Sequence, residues 1–373
     1  MKTFKFKLYN HRRCRQLHHS INAASSIWNH SIALHKPYYR RYGKSLSANM
    51  LKGHIARKRR RSHYWQAVGS QAVQDIIERI DRAYQLFFKY YSRGTKPPGF
   101  RKRVKYKSFT LKQAGYKFLG NGRVRIGKAI YRFWQSREIK GTIKTVTVKR
   151  NSLGEIFLFV VTDAVDEHQQ PMTGNSAGFD FGLKTFLSLS DGTSIASPLF
   201  FRQGMKRVQL ANRNLSRKRK GSRGREKARK HLARVHERIK HQRTDWFWKL
   251  AHKLTDQYDH LYFETLNLKG MQRMWGRKVS DLAFREFLMI LEHVAFKKGK
   301  QVAYIDRWFP SSKTCHGCKH VLDQLPLEIR YWRCPSCGQA NDRDSNAARN
   351  ILEAGSLSLG LGDVRQAQPA IAA

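Results

Sequence analysis

Carboxylates are scarce in this chain. Of its 373 residues only 26 are Asp or Glu, against 73 Lys and Arg, and the first acid to occur is Asp75. With a formal net charge of +47, the isolated protein would repel itself strongly in water, so a polyanion is the expected partner and nucleic acid the obvious one. Long apolar runs are missing as well. None approaches the ~18 residues of a membrane span, and the opening MKTFKFKLYN has no apolar core of a signal peptide, so neither membrane insertion nor secretion is expected. Cysteine is sparse: there are five, four of them at metal-ligand spacing, which argues against a disulfide framework and for a reducing compartment. The 40% hydrophobic share is nonetheless enough for real cores, and the length leaves room for two or three domains.

The positive charge is concentrated. Residues 1–110 hold 26 basic and 3 acidic side chains, residues 201–245 hold 17 and 3, and together these segments carry 37 of the 47 net charges. Within them, Arg57, Lys58, Arg59, Arg60 and Arg61, and then Arg217, Lys218, Arg219 and Lys220, are the expected phosphate contacts. Any single run of this kind could equally be a solvated helix face. Tyr38, Tyr39 and Trp65 lie beside the first run and could stack on unpaired bases, with interhelical packing the alternative for Trp65.

Apolar and basic residues alternate in TFKFKLY, and the habit returns at Thr145 to Lys149 and Ile156 to Val161, as in strands. Between them, Leu17, Ile21, Ala24, Trp28 and Ile32 recur at helical spacing before Pro37, and Val73, Ile76, Ile80, Tyr84, Phe87 and Tyr91 do so before Gly94. A helical insertion (14–95) inside a β module (1–13 and 96–165) is expected, followed by a polar linker at 166–176. A second domain then opens with two strands joined by an Asp191-Gly192 hairpin turn, continues through two basic helices, and alternates strand and helix to about residue 310. That order implies an α/β layer structure. The segment from Gly355 has no periodicity and reads as a disordered tail.

Cys315, Cys318, Cys334 and Cys337 form a C-x2-C-x15-C-x2-C pattern, the two-knuckle spacing of a structural four-thiolate Zn2+ site. His316 and His320 are alternative ligands, and Cys14, on the first helix, is expected to be packed and inert. Among the few acids, Asp180 sits in the opening strand of the second domain, Glu264 ends the apolar HLYFE run, and Asp344 begins the helix DSNAARNILEA. Three carboxylates at one end of a sheet can hold two divalent ions, with Mg2+ suited to such hard oxygens, and hydrolyse a phosphodiester. Each has a structural alternative: Asp180 as a turn former, Glu264 as an ion-pair partner, Asp344 as a helix cap. Asp344 is preferred to Asp342 because positions 344, 348 and 351 share a helix face, and Ala348 and Ile351 must face the core.

GFDFGLKTFLSLSDG, FETLNLKGM, SSKTCHGC, CPSCG and DRDSNAARNI resemble, in order and spacing, the TnpB (OrfB) proteins of bacterial insertion sequences, over about residues 1–355. The resemblance implies a multidomain α/β protein. Its N-terminal part would be a wedge-like β-barrel with a helical recognition insertion, followed by a RuvC, RNase H-like nuclease domain (177–310 and 341–354) interrupted by a zinc ribbon (311–340). It implies an RNA-guided, divalent-metal-dependent endonuclease, similar to compact type V CRISPR effectors. Such an enzyme would use a guide RNA from the transposon end to cut double-stranded DNA beside a short flanking motif, in the bacterial cytoplasm at the nucleoid. Asp180, Glu264 and Asp344 match the family's metal-binding acids, and the four cysteines match its zinc ligands. Thr265, Lys319 and Asn341 depart from the family pattern without removing a ligand. Two other functions stay open: a nuclease-inactive RNA-guided DNA-binding repressor, and a transposase acting in strand transfer, for which the chain offers no tyrosine nucleophile motif.

Overall fold

The computed structural model describes residues 1–9, 14–165, 170–182, 185–267, 281–358 and positions 270, 271, 273, 276 and 279. The chain divides into two compact units, Met1–Asp166 and Glu167–Ala373.

In the first unit, β1 (Lys2–Lys7), β2 (Ser108–Leu111), β6 (Ile143–Arg150) and β7 (Ile156–Thr162) form an antiparallel sheet in the order β1-β7-β6-β2. Phe4 and Phe6 of β1 face inward opposite Val160 and Leu158, while the intervening lysines face out, as alternation requires. A separate meander joins β3 (Tyr116–Phe118), β4 (Arg123–Ile126) and β5 (Ala129–Arg132). The expected barrel is corrected here: among the described residues the strands do not close, and the two sheets meet at a single bridge, Leu8 to Phe133. Helix α4 (Ser70–Lys89) packs on β2, where its Arg79 donates to the hydroxyls of Ser108 and Thr110 on one face of the sheet.

Helices α1 (Cys14–Tyr42), α2 (Ala48–Arg60), α3 (His63–Gln66) and α4 complete this core. The α1 stripe of Leu17, Ile21, Ala24, Trp28 and Ile32 is buried against Val73, Ile76, Ile77 and Ile80 of α4. Helix α1 does not stop at Pro37 but runs on to Tyr42. Pro37 and Ala33 both lie on the exposed face, so the carbonyl that loses its i+4 donor turns to solvent. The α4 stripe is buried only as far as Ile80, and Tyr91 is exposed.

The second unit carries a five-stranded sheet in the order β10-β9-β8-β11-β12, made of β8 (Ser176–Asp180), β9 (Thr185–Leu189), β10 (Ser194–Ala196), β11 (His260–Glu264) and β12 (Gln301–Ile305). Strands β8, β11 and β12 are parallel, whereas β9 is antiparallel to β8 and β10 to β9. The turn from β9 to β10 uses Gly192 at φ +86°, with the Asp191 carboxylate accepting from the Thr193 N–H and hydroxyl. Helices α5 (Phe200–Ser216), α6 (Arg223–Gln257) and α7 (Phe284–Lys298) follow. Phe247, Leu250 and Leu254 of α6 and Phe287, Leu291 and Val294 of α7 share a core with Phe179, Leu261 and Phe263. Residues facing the other way, Tyr262, Ala303 and Ile305, pack with Ile351 of α8 (Arg343–Ser358). Helices therefore cover both faces of the sheet, a three-layer α/β/α arrangement.

Of the stretch read as a linker, 166–169 lie outside the described residues, and the rest is tied down. The buried Asp259 carboxylate accepts the Gly174 N–H at 2.6 Å and the Lys300 ammonium at 2.5 Å, and Lys300 also donates to the Pro171 carbonyl. The tail reading also shifts, because α8 continues to Ser358 and residues 359–373 lie outside the described residues. Gly355 keeps that last stretch on the sheet: a Cβ there would come within 2.2 Å of the Tyr262 ring.

Candidate active site and metal centre

Asp180 and Glu264 end adjacent parallel strands. Phe179 pairs with Phe263, so the two acids stand side by side at the carboxyl edge of β8 and β11, where open α/β sheets place their ligands. Asp344 lies in the first turn of α8, near enough for its charge to act on Asp180. What brings it there is Gly178, two residues before Asp180 on the same sheet face. A Cβ at Gly178 would lie 2.1 Å from the Ala348 carbonyl oxygen and 2.5 Å from the Leu352 nitrogen. The helix backbone thus rests directly on the strand. Two residues along β8 and one turn back along α8, each about 6 Å, carry that contact to Asp180 and Asp344.

The electrostatics register this convergence. Burial raises the Asp180 carboxyl, the negative charges of Glu264 and Asp344 raise it further, and the Arg343 and Arg330 guanidinium groups only partly offset them, leaving it at about 8. Burial also raises Glu264, against a weak hydrogen bond from Ser311 Oγ at 3.5 Å. Asp344 is held differently: Arg330 Nη1 donates to both its oxygens, at 2.9 and 3.2 Å. Asp342 caps α8, its Oδ1 accepting the Ser345 N–H at 2.8 Å. Asp180 and Glu264 are thus both raised, chiefly by burial, while Asp344 is paired with Arg330; among the described residues the three acids are not drawn together as tightly as the four cysteines.

The four cysteine sulfurs lie within 4.8 Å of one another. Cys315 is 3.7 Å from Cys337 and Cys318 is 3.5 Å from Cys334, close to the ~3.8 Å that Zn–S bonds of about 2.3 Å subtend in a tetrahedron. Burial would raise the Cys315 thiol, but the N–H groups of Cys318 and Gly317 and the Asn341 amide outweigh it and bring it to about 6. The Gln339 N–H lowers Cys337, yet its thiol neighbours push it up to about 12. Four sulfurs at this spacing cannot all become thiolates without a cation, so the cluster fits a structural zinc site. His316 is turned away, its Nδ1 lying 3.3 Å from Asn350 Oδ1 and 3.4 Å from the Glu353 carboxylate. Cys14 is buried near the Tyr9 carbonyl.

The departures from the family pattern have local explanations. Asn341 donates to the Cys315 sulfur. Thr265 Oγ1 donates to the Ile305 carbonyl and ties β11 to β12. Lys319 adopts φ +63°, the left-handed conformation that favours glycine, and its ammonium pairs with Glu353.

Several residues escaped the sequence reading. Asn346 and Asn350 of α8 donate to the Thr314 carbonyl at 2.8 and 2.7 Å, and Asn350 to the Ser311 carbonyl, so one helix holds both Asp344 and the first knuckle. Two asparagines four apart in a helix interior, where they are poor helix formers, were the available signal. Arg330 and Gly178 carried none. Arg225 stitches the basic turn after α5, donating to the Leu215 and Lys218 carbonyls. Around it Arg217, Lys218, Arg219 and Lys220 are exposed, as are Arg57, Lys58, Arg60 and Arg61, whereas Arg59 is half-buried. Trp65 packs between helices, donating to Ser26 Oγ, and Tyr38 leans on Tyr42, leaving Tyr39 exposed.

Residues 159–274 match the OrfB_IS605 family model, described as "Probable transposase", and residues 284–351 match the Cas12f1-like TNB domain. Over 302 residues, 79% of this chain and 74% of the relative, the chain is 33% identical to a Streptomyces pristinaespiralis protein named "Putative RNA-guided DNA endonuclease". The chain belongs to the TnpB family. Another TnpB relative, from Escherichia coli K12 and named "Putative RNA-guided DNA endonuclease InsQ", is 27% identical over 314 residues, 80% of this chain and 77% of its own. In fold, this TnpB chain is similar to the protein of a Cas12f1-sgRNA-target DNA complex, with a TM-score of 0.59 at 14% identity over 91% of this chain and 83% of the other. Among the described residues, no helix is long and apolar enough to cross a membrane.

Proposed function

We propose that this TnpB protein is an RNA-guided endonuclease that cuts double-stranded DNA beside a short flanking motif, using Mg2+ held by Asp180, Glu264 and Asp344. The observation that carries this reading is the placement of Asp180 and Glu264 at the ends of adjacent parallel strands, with Asp344 near enough for its charge to raise the Asp180 carboxyl, in a chain otherwise dominated by cations. Numbered within the unit, the strand order is 3-2-1-4-5 with strand 2 antiparallel, the arrangement expected of an RNase H-like nuclease domain.

Bound divalent ions would supply the charge that activates a water and stabilises the leaving oxygen. The protein's own part is positional. Adjacent strands fix Asp180 and Glu264, Gly178 seats the helix that delivers Asp344, and Ser311 orients Glu264. Arg330 neutralises Asp344 and would yield it to a cation. The zinc ribbon lies between β12 and α8, so folding it sets where Arg330 and Asp344 stand. The basic runs at 57–61 and 217–220, exposed except at Arg59, would hold a structured guide RNA by its phosphates, leaving sequence choice to base pairing. All three acids are present, which favours cleavage over a binding-only repressor.

Protein purified with its RNA should cut a matched DNA target. Asp180→Ala, Glu264→Ala and Asp344→Ala should each reduce that cleavage about 100- to 1,000-fold, the scale of removing one charge-stabilising group, while target binding persists. Near-normal cutting by any of the three would remove that residue from the site.

A further inference from the structure

Residues 306–311 form the turn that leaves the carboxyl end of β12, whose last residue, Ile305, pairs with Glu264. Asp306 Oδ1 accepts the Trp308 N–H at 2.7 Å, Phe309 packs against the Tyr262, Ala303 and Ile305 cluster, and Ser311 touches Glu264. The turn is pinned at both ends, yet the Trp308 side chain is left out of every core. It is 76% exposed, the most of any tryptophan among the described residues, whereas Trp28 is buried and Trp65 and Trp246 pack against cores. Arg307 places its guanidinium 4.4 Å from the Trp308 ring centroid. An exposed indole on a turn whose backbone is pinned, with a cation on it and acids at the same sheet edge, is suited to a ligand with both a flat π face and a negative charge.

We propose that Trp308 and Arg307 form a stacking platform for one unpaired base of the DNA strand being cut, beside the scissile phosphate. The inference rests on the nuclease reading above. Guide pairing displaces a single DNA strand, and only an unpaired nucleotide offers a free base face. Stacking on the indole would fix the strand's position over Asp180 and Glu264 without reading its sequence, since every base has such a face. Phosphate contacts alone would need only Lys and Arg.

The test uses full-length protein with its guide RNA and matched DNA targets carrying a single abasic nucleotide at successive positions around the cut. Trp308→Ala should lower cleavage at subsaturating target, and affinity for a short oligo(dT) strand, by about 5- to 100-fold, the range measured for one base-aromatic stack. Trp308→Phe should restore most of both. One abasic position should cost the wild type a similar factor and cost Trp308→Ala nothing, because the same contact cannot be lost twice. Wild-type cleavage by Trp308→Ala, or abasic penalties identical in the two proteins, would overturn the platform. If the wild type fails to cut any matched target, the nuclease reading falls on its own, and equal oligo(dT) affinity of wild type and Trp308→Ala then decides against the platform separately.

Discussion

The thiol cluster and the carboxylate centre occupy the same unit and are built in opposite ways. The four cysteines lie between positions 315 and 337, on two tight turns in which the N–H of Lys319 donates to the Cys315 carbonyl and that of Gly338 to the Cys334 carbonyl. Little beyond those turns and the short hairpin of β13 (Tyr331–Arg333) and β14 (Ala340–Asp342) is needed to bring the sulfurs together. The carboxylates come from positions 180, 264 and 344, and only the seating of α8 on the sheet joins the third to the other two. A site written in local turns should survive disturbance of the surrounding fold, whereas one written in packing should not.

The largest expected effect runs from the local site to the assembled one. Wild-type protein should hold about one zinc per chain, and Cys334→Ser should lose it, with the binding free energy of a structural site, about 10–16 kcal/mol, no longer available to the ribbon. Since Arg330 and the start of α8 follow from the ribbon, cleavage should drop about 10- to 100-fold, as when a supporting contact of a metal site is removed. Metal analysis beside a cleavage assay checks this, and full activity in zinc-free protein would show that the two sites are independent.

Asp259→Ala attacks the sheet and spares the knuckles. Asp259 and Lys300 are each 1% exposed, so removing the acid leaves a buried, uncompensated ammonium, at a cost of about 3–5 kcal/mol in denaturant unfolding. Zinc content should be unchanged while cleavage falls with the sheet. Burial would raise the Asp259 carboxyl, but Lys300 and the N–H groups of Thr173 and Gly174 outweigh it and hold it well below the ordinary carboxylate range. Because the folded value lies below the unfolded one of about 3.9, the stabilisation is complete above about pH 5 and is lost as pH falls below about 4. Acid unfolding measured across that window should be steeper in the wild type than in Asp259→Asn.

Gly178→Ala sharpens the contrast by a single methyl group. With α8 backbone 2.1 Å from the new Cβ, the helix must lift, costing about 1–3 kcal/mol and displacing Asp344. Cleavage should fall more than thermal stability suggests, with zinc retained. The smallest effect belongs to Asp342→Ala, which removes the α8 cap for about 1 kcal/mol and should keep most of the cleavage that Asp344→Ala abolishes. Equal losses in the two variants would contradict the division of labour at the start of α8.

The same contrast explains what could be read from the sequence. Cysteine spacing is itself the geometry of a knuckle, so Cys315, Cys318, Cys334 and Cys337 were legible outright. Asp180, Glu264 and Asp344 stood out because acids are rare and because their motifs resemble a family, not because any local pattern joins them. Gly178, Arg330, Asn346 and Asn350 act only through partners distant in the chain, and no local rule marks them. Helical periodicity gives α1 and α4, but not that α1 runs on through Pro37, because the exposed side on which a lost hydrogen bond is tolerated is a property of packing. The barrel that the resemblance implied is not formed among the described residues, and alternation, which reveals strands, does not show whether their sheet closes.

The most direct test of the account is cleavage of one matched double-stranded DNA target by protein stripped of RNA, with and without guide RNA added back, in wild type and in Asp180→Ala. The account predicts sequence-specific cutting only in the wild type with guide, and retained guided binding without cutting in Asp180→Ala. Equal sequence-specific cleavage with and without guide would contradict RNA guidance, and cutting by Asp180→Ala would contradict the carboxylate centre.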